Sequence, residues 1–215
     1  MEKVQAEQTR PTKAREKLHY ETFTDWARDT AEVVTVPVAR FLAGLGIHPN
    51  TLSLLGFLLS IAVAAVLAIG QLTLGGWLLA VTAPIDAFDG ALARVIGQKS
   101  RFGAFLDSTL DRLSEAAVLS GLASHYLRRG TTLEVMLIFA AMIGSVLVSY
   151  TRARAEGLGF SCRIGVLTRM ERAAVLVIGL ILGYPAVALW TLAVGANLTA
   201  LQRILHVYRQ SQRSE

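Results

Sequence analysis

The sequence predicts an all-α integral membrane protein, six transmembrane helices behind an N-terminal amphipathic helix lying at the interface. Three observations carry this. Hydrophobic residues make up 53% of the chain, with mean hydropathy +0.48. Charged residues make up 17%, where a soluble domain carries about a quarter. Between Arg40 and Asp86 there is no Asp, Glu, Lys or Arg, an interval long enough for two spanning helices of roughly 20 residues each.

The elements follow in order. Residues 1–18 are polar and expected to be poorly ordered. Over residues 19–46, Phe23, Trp26, Val33, Val34, Val38 and Phe41 alternate with Asp25, Arg28, Asp29, Glu32 and Arg40. That is the pattern of an interfacial amphipathic helix, with Trp26 at headgroup depth. Gly46-Ile-His-Pro-Asn50 breaks it, and Asn50 or Thr51 is expected to cap the next helix. A six-helix domain over residues 47–208 then has spans at 51–69, 72–95, 102–126, 133–155, 169–182 and 185–206, and 209–215 is a short tail.

Charge sets the orientation. Arg94, Lys99 and Arg101, then Arg152, Arg154, Arg163, Arg169 and Arg172, then Arg203, Arg209 and Arg213 share one side if both termini are cytoplasmic, while Arg128 and Arg129 run against that rule. A plasma-membrane, multi-pass protein with a cytoplasmic active site is the expectation. The net charge of +5 suits cytoplasmic loops and anionic headgroups rather than nucleic acid. No cleavable signal peptide is expected from the polar first forty residues. Cys162 is the single cysteine, which excludes an intrachain disulfide framework and a thiolate metal cluster.

The chemistry concentrates where the second helix ends and the third begins. Asp86 and Asp89 are three apart, and Asp107 and Asp111 four apart, so each pair projects from one face of its helix. A short connection returns the third helix antiparallel to the second, and the four acids converge near the cytoplasmic edge. Unneutralised, they would repel one another and resist desolvation. Two divalent cations answer this, and a site of oxygen ligands without His or Cys favours Mg²⁺ or Mn²⁺. A structural charge network with Arg94, Lys99, Arg101 and Arg112 is the alternative. Gly90 and the small Ala93 permit close approach either of a ligand or of a neighbouring helix.

These residues spell D-x2-D-G-x2-A-R-x8-G-x3-D-x3-D from Asp86 to Asp111 without a mismatch. The pattern resembles the signature of the CDP-alcohol phosphatidyltransferase family, and the resemblance extends to His48-Pro-Asn-Thr-Leu-Ser53 and to the six-helix layout, roughly residues 20 to 210. It implies transfer of a phosphatidyl group from a CDP-linked lipid to an alcohol with release of CMP. It implies Asp86, Asp89 and Asp107 as principal metal ligands, with Asp111 on the second metal and acting as base on the acceptor hydroxyl. It implies Asn50, Thr51, Leu52, Ser53, Gly90, Arg94 and Ser100 around the CDP moiety, and a homodimer.

A second segment, Ser149-Tyr-Thr-Arg152-Ala-Arg154, with the later Arg172 and Arg203, supplies cations suited to phosphate. At the end of an apolar helix, Arg152 and Arg154 are not both expected to face water. The pattern is similar to the phosphatidylinositol-phosphate synthase branch of the family, which implies Ser149, Arg152, Arg154, Arg172 and Arg203 around the phosphate of inositol 1-phosphate. Arg152 stands where that branch often has lysine. Glycerol 3-phosphate is the rival acceptor. An intramembrane prenyltransferase would share the acids and Mg²⁺ but not the glycines and Arg94 at these spacings. An ion transporter would use the acids as a pathway and release no CMP.

Overall fold

The computed structural model describes residues 35–97 and 100–214, without the side chains of Asp86, Ala87, Arg213 and Ser214. Most of the predicted interfacial helix, including Trp26, and the polar stretch before it lie outside the described residues. Helix α1 covers 35–44. It is followed by α2 (Pro49–Ala68), α3 (Leu72–Thr82), α4 (Ile85–Val95), α5 (Arg101–Arg129), α6 (Thr132–Gly157), α7 (Arg169–Ile181) and α8 (Pro185–Ser214). Among the described residues there is no strand.

Local chemistry sets the boundaries. Pro49 opens α2, its fixed φ and missing N–H suiting the first helical position. His48 caps the helix through Nδ1, which accepts from the Asn50 N–H at 3.2 Å. This corrects the expected cap at Asn50 or Thr51, because the proline starts the helix earlier. Ser100 caps α5, its Oγ accepting from the Gly103 N–H at 2.8 Å. Gly130 ends the same helix in the left-handed region at φ 71.

The second predicted span is corrected to two helices. Pro84 cannot donate the bond that a continuous helix needs, and its ring clashes with the carbonyl four residues back. The helix therefore closes at Thr82 and reopens at Ile85. Helices α3 and α7 have only 11 and 13 residues, short of the roughly 20 that cross a bilayer. Among the described residues, α2 and α6 are the helices long and apolar enough to cross by length and composition. Helix α8 runs to Ser214, so residues 209–214 continue it as helix.

The bundle pairs α2 with α5, α6 with α8 and α3 with α7. Leu67, Leu119, Leu122, Ile138, Leu180 and Leu189 are fully buried at its centre. A Cβ on Gly121 would stand 2.3 Å from the Ala64 carbonyl oxygen, so the backbones of α2 and α5 touch there, as small residues permit. The outer surface is apolar too. Leu54, Leu58 and Ile61 of α2, Phe139, Ile143 and Val146 of α6, and Trp190, Val194 and Leu198 of α8 are exposed. Stripes of this kind on three helices suit lipid and would be a liability in water.

Candidate active site

Helix α2 backs both α4 and α5, and a cleft of about 670 Å³, counted to its open mouth, separates these two. Its lining brings together Asn50, Ser53, Asp89, Gly90, Arg94, Ser100 and Asp107 from three helices. Asp89 is 5% exposed. The Ser53 hydroxyl donates to its Oδ2 at 2.5 Å, fixing the carboxylate against α2. The two glycines of the motif do different work. A Cβ on Gly90 would meet only Arg94 Nη1, at 3.9 Å; the glycine faces open space in the cleft and is not a helix contact. A Cβ on Gly103 would stand 2.8 Å from Ser100 Oγ and 3.1 Å from Asn50 Oδ1. There the absence of a side chain lets the capping serine and Asn50 close over the start of α5.

One turn beyond Asp107, Asp111 faces a second cavity, about 600 Å³, inside the bundle. This space exists because two helices are short. Thr82 and Ala83 line it where α3 stops, and Arg169 and Arg172 line it where α7 begins. Its walls include Leu79, Val118, Leu119, Leu176 and Leu192. Its polar end is ionic. Arg169 Nη2 lies 2.8 Å from Asp111 Oδ1, and Arg112 Nη1 lies 3.5 Å from Asp111 Oδ2. Arg172 meets Glu115 edge-on, Nε to Oε1 at 2.7 Å and Nη2 to Oε2 at 2.8 Å. Ser145 Oγ donates to the same Oε1 at 2.8 Å.

The remaining predicted residues lie elsewhere. Asp86 is on α4, its side chain outside the described residues. Thr51 is exposed, and Leu52 packs with Ala39, Ala91 and Leu92 in a small apolar cluster. Ser149 is half-buried. Arg152 pairs with Glu156 at 2.9 Å on the surface of α6, and Arg154 is exposed. Both arginines are therefore on the surface of α6, which continues to Gly157. Arg203, 4% exposed, donates Nε to the Ile164 carbonyl at 2.8 Å and Nη1 to the Val148 carbonyl. Arg152 and Arg172 are close enough to act on its charge. Of the five arginine and serine candidates, Arg172 alone lines the Asp111 cavity. Nearby Cys162 is fully buried, and desolvation pushes its thiol up, the opposite of an activated nucleophile.

Sequence reasoning missed Glu115 and Arg169. Glu115 carried a usable signal, an acid four residues after Asp111 inside an apolar helix. Arg169 read as loop charge until α7 placed it on Asp111.

Asp89 and Asp107 present carboxylate oxygens to one cleft, and Asp111 stands one turn away with hard oxygen donors of the same type. That donor chemistry fits Mg²⁺ or Mn²⁺. Among the described residues, which lack the Asp86 side chain, no three such groups stand together as a metal set.

The model of the CDP-alcohol phosphatidyltransferases matches residues 46–202. The chain belongs to that family. It is an enzyme, a CDP-alcohol phosphatidyltransferase, which sets aside the prenyltransferase and the ion pathway. The archaetidylinositol phosphate synthase of Pyrococcus horikoshii is 39% identical over 179 residues, which cover 83% of this chain and 91% of that one. The crystal structure of Mycobacterium tuberculosis phosphatidylinositol phosphate synthase with CDP-DAG bound superposes with TM-score 0.76 at 32% identity, covering 81% of this chain and 94% of its own. The same synthase in complex with manganese and citrate gives TM-score 0.75 at 32% identity, covering 81% and 88%.

Proposed function

We propose that this phosphatidyltransferase moves the phosphatidyl group of a CDP-linked lipid, CDP-diacylglycerol or a related donor, onto inositol 1-phosphate and releases CMP. The observation that carries the reading is the division of labour along α5. Asp107 faces the open cleft with Gly90, Arg94 and Ser100, and one turn on, Asp111 faces a cavity that also holds Arg169 and Arg172. A nucleotide fits the first space and a phosphorylated polyol the second. Inositol-phosphate products in the names of the relatives support this acceptor.

Asp86, Asp89, Asp107 and Asp111 are the residues that would hold two divalent cations, Mg²⁺ or Mn²⁺. When bound, these supply neutralisation of the diphosphate and stabilise charge on the departing CMP. Ser53 keeps Asp89 oriented. Gly90 leaves room for the nucleotide, with Asn50, Thr51, Leu52, Ser53, Arg94 and Ser100 as the surrounding donor-side residues. Asp111 accepts the proton of the attacking hydroxyl as its oxygen bonds to the phosphatidyl phosphorus and the P–O bond to CMP breaks. Arg172, with Arg169 beside it, holds the acceptor phosphate, and Ser149, Arg152, Arg154 and Arg203 shape the approach from the cytoplasm. The bundle sits as six membrane segments in the plasma membrane with both termini and the active site cytoplasmic, and works as a homodimer.

The test is CMP release by the purified, detergent-solubilised enzyme with CDP-diacylglycerol, Mg²⁺ and one acceptor at a time. Metal-dependent release with inositol 1-phosphate, and none with inositol or serine, is expected. Release with glycerol 3-phosphate alone would transfer the assignment to that acceptor.

A further inference from the structure

The cavity below Asp111 contains an acid that the proposed reaction does not use. Glu115 lies one turn beyond Asp111 on α5, and both its oxygens are committed to Arg172, at 2.7 and 2.8 Å. Ser145, from α6, donates to Oε1 at 2.8 Å. On the other side of the guanidinium, Arg172 Nη1 donates to the Leu167 carbonyl at 3.2 Å. Arg172 is 3% exposed, so it has no freedom to swing into solvent.

A guanidinium carries five N–H donors in a planar fork. Glu115 takes the pair on the Nε edge and Leu167 takes one from Nη1. One N–H therefore remains on each terminal nitrogen, and charged donors of this kind suit an oxyanion. The residue bearing them lines the same cavity as Asp111. A buried ion pair is a poor device for stability alone, since apolar residues of the same volume serve as well. Glu115 has another use here: Arg169 and Arg172 both line this cavity and both act on it, and its opposite charge lets the two guanidinium groups stand around one space.

We infer that Glu115, supported by Ser145, is a positioning residue that fixes the Arg172 guanidinium edge-on, so that its two remaining donors meet the phosphate of the acceptor. This rests on the acceptor reading above. CMP release is measured against inositol 1-phosphate concentration, and separately against CDP-diacylglycerol concentration, for Arg172→Gln, Glu115→Gln and Ser145→Ala. Both Arg172→Gln and Glu115→Gln are expected to raise the acceptor KM by about tenfold or more, the loss of one charged hydrogen bond, with donor KM and kcat changed by less than about threefold. Ser145→Ala, which leaves the ion pair, is expected to raise acceptor KM by about threefold, the weaker loss of one neutral bond. If Arg172→Gln raises acceptor KM while Glu115→Gln and Ser145→Ala leave it unchanged or lower it, the positioning role is overturned and the acceptor reading stands. If Arg172→Gln itself leaves acceptor KM unchanged, the acceptor reading falls and the role of Glu115 falls with it. Should Glu115→Gln not fold, Ser145→Ala decides by the same criterion.

Discussion

The cleft between α4 and α5 and the cavity below Asp111 are built in opposite ways. The cleft is local on its α4 and α5 walls. Its residues come from the ends of α2, α4 and α5, and on the last two they follow spacings of three and four along the chain. The cavity is tertiary. Ser60, Thr82, Asp111 and Arg172 reach it from α2, α3, α5 and α7, and its space comes from helices that stop short. The cleft has a glycine facing open space, and the cavity has carboxylates paired with guanidinium groups. We assign the first to the nucleotide and the second to the acceptor.

The sharpest way to break this contrast is to neutralise Asp111, which we assign to the chemical step. Asp111→Asn is expected to lower kcat by about 10²–10⁴-fold, the range for losing a general base, with CDP-lipid affinity retained; equal loss of donor binding would merge the two sites into one. Next in size is Ser53→Ala on the cleft side. Loss of the hydroxyl on Asp89 is expected to raise the Mn²⁺ concentration for half-maximal rate by about 10–100-fold, as for other residues that orient metal ligands. An unchanged metal titration would show that Asp89 needs no such support. The smallest effect compares two glycines. Gly90→Ala is expected to raise the thermal midpoint modestly, since alanine in a helix is worth up to about 1 kcal/mol over glycine, while raising donor KM. Gly121→Ala should do the reverse, costing about 1–3 kcal/mol by overpacking with little change in donor KM. Thermal melts in detergent and donor titrations distinguish them.

The same contrast explains what could be read from the chain. Asp89, Gly90, Gly103 and Asp107 are local, and their spacing puts them on the two helices, α4 and α5, that line the cleft. The break at Pro84 is visible as a residue, but the long apolar run before it masks it. The pairing of Arg172 with Glu115 joins positions 57 apart in the sequence, and no periodicity connects them. Arg203 reads from the sequence as a cation suited to phosphate, yet its partners are backbone carbonyls at Ile164 and Val148, which carry no signature in a sequence.

The contact of Gly121 with the Ala64 carbonyl has one more consequence. With their main chains touching, α2 and α5 form one packed pair carrying Ser53, Asp107 and Asp111. Helix α4 faces α5 across the cleft, divided from α3 by the proline break and packed on α2. A change of donor-headgroup selectivity is therefore best sought at the α4 residues that line the cleft, Ala93 and Arg94, which leaves Asp111 on α5 untouched.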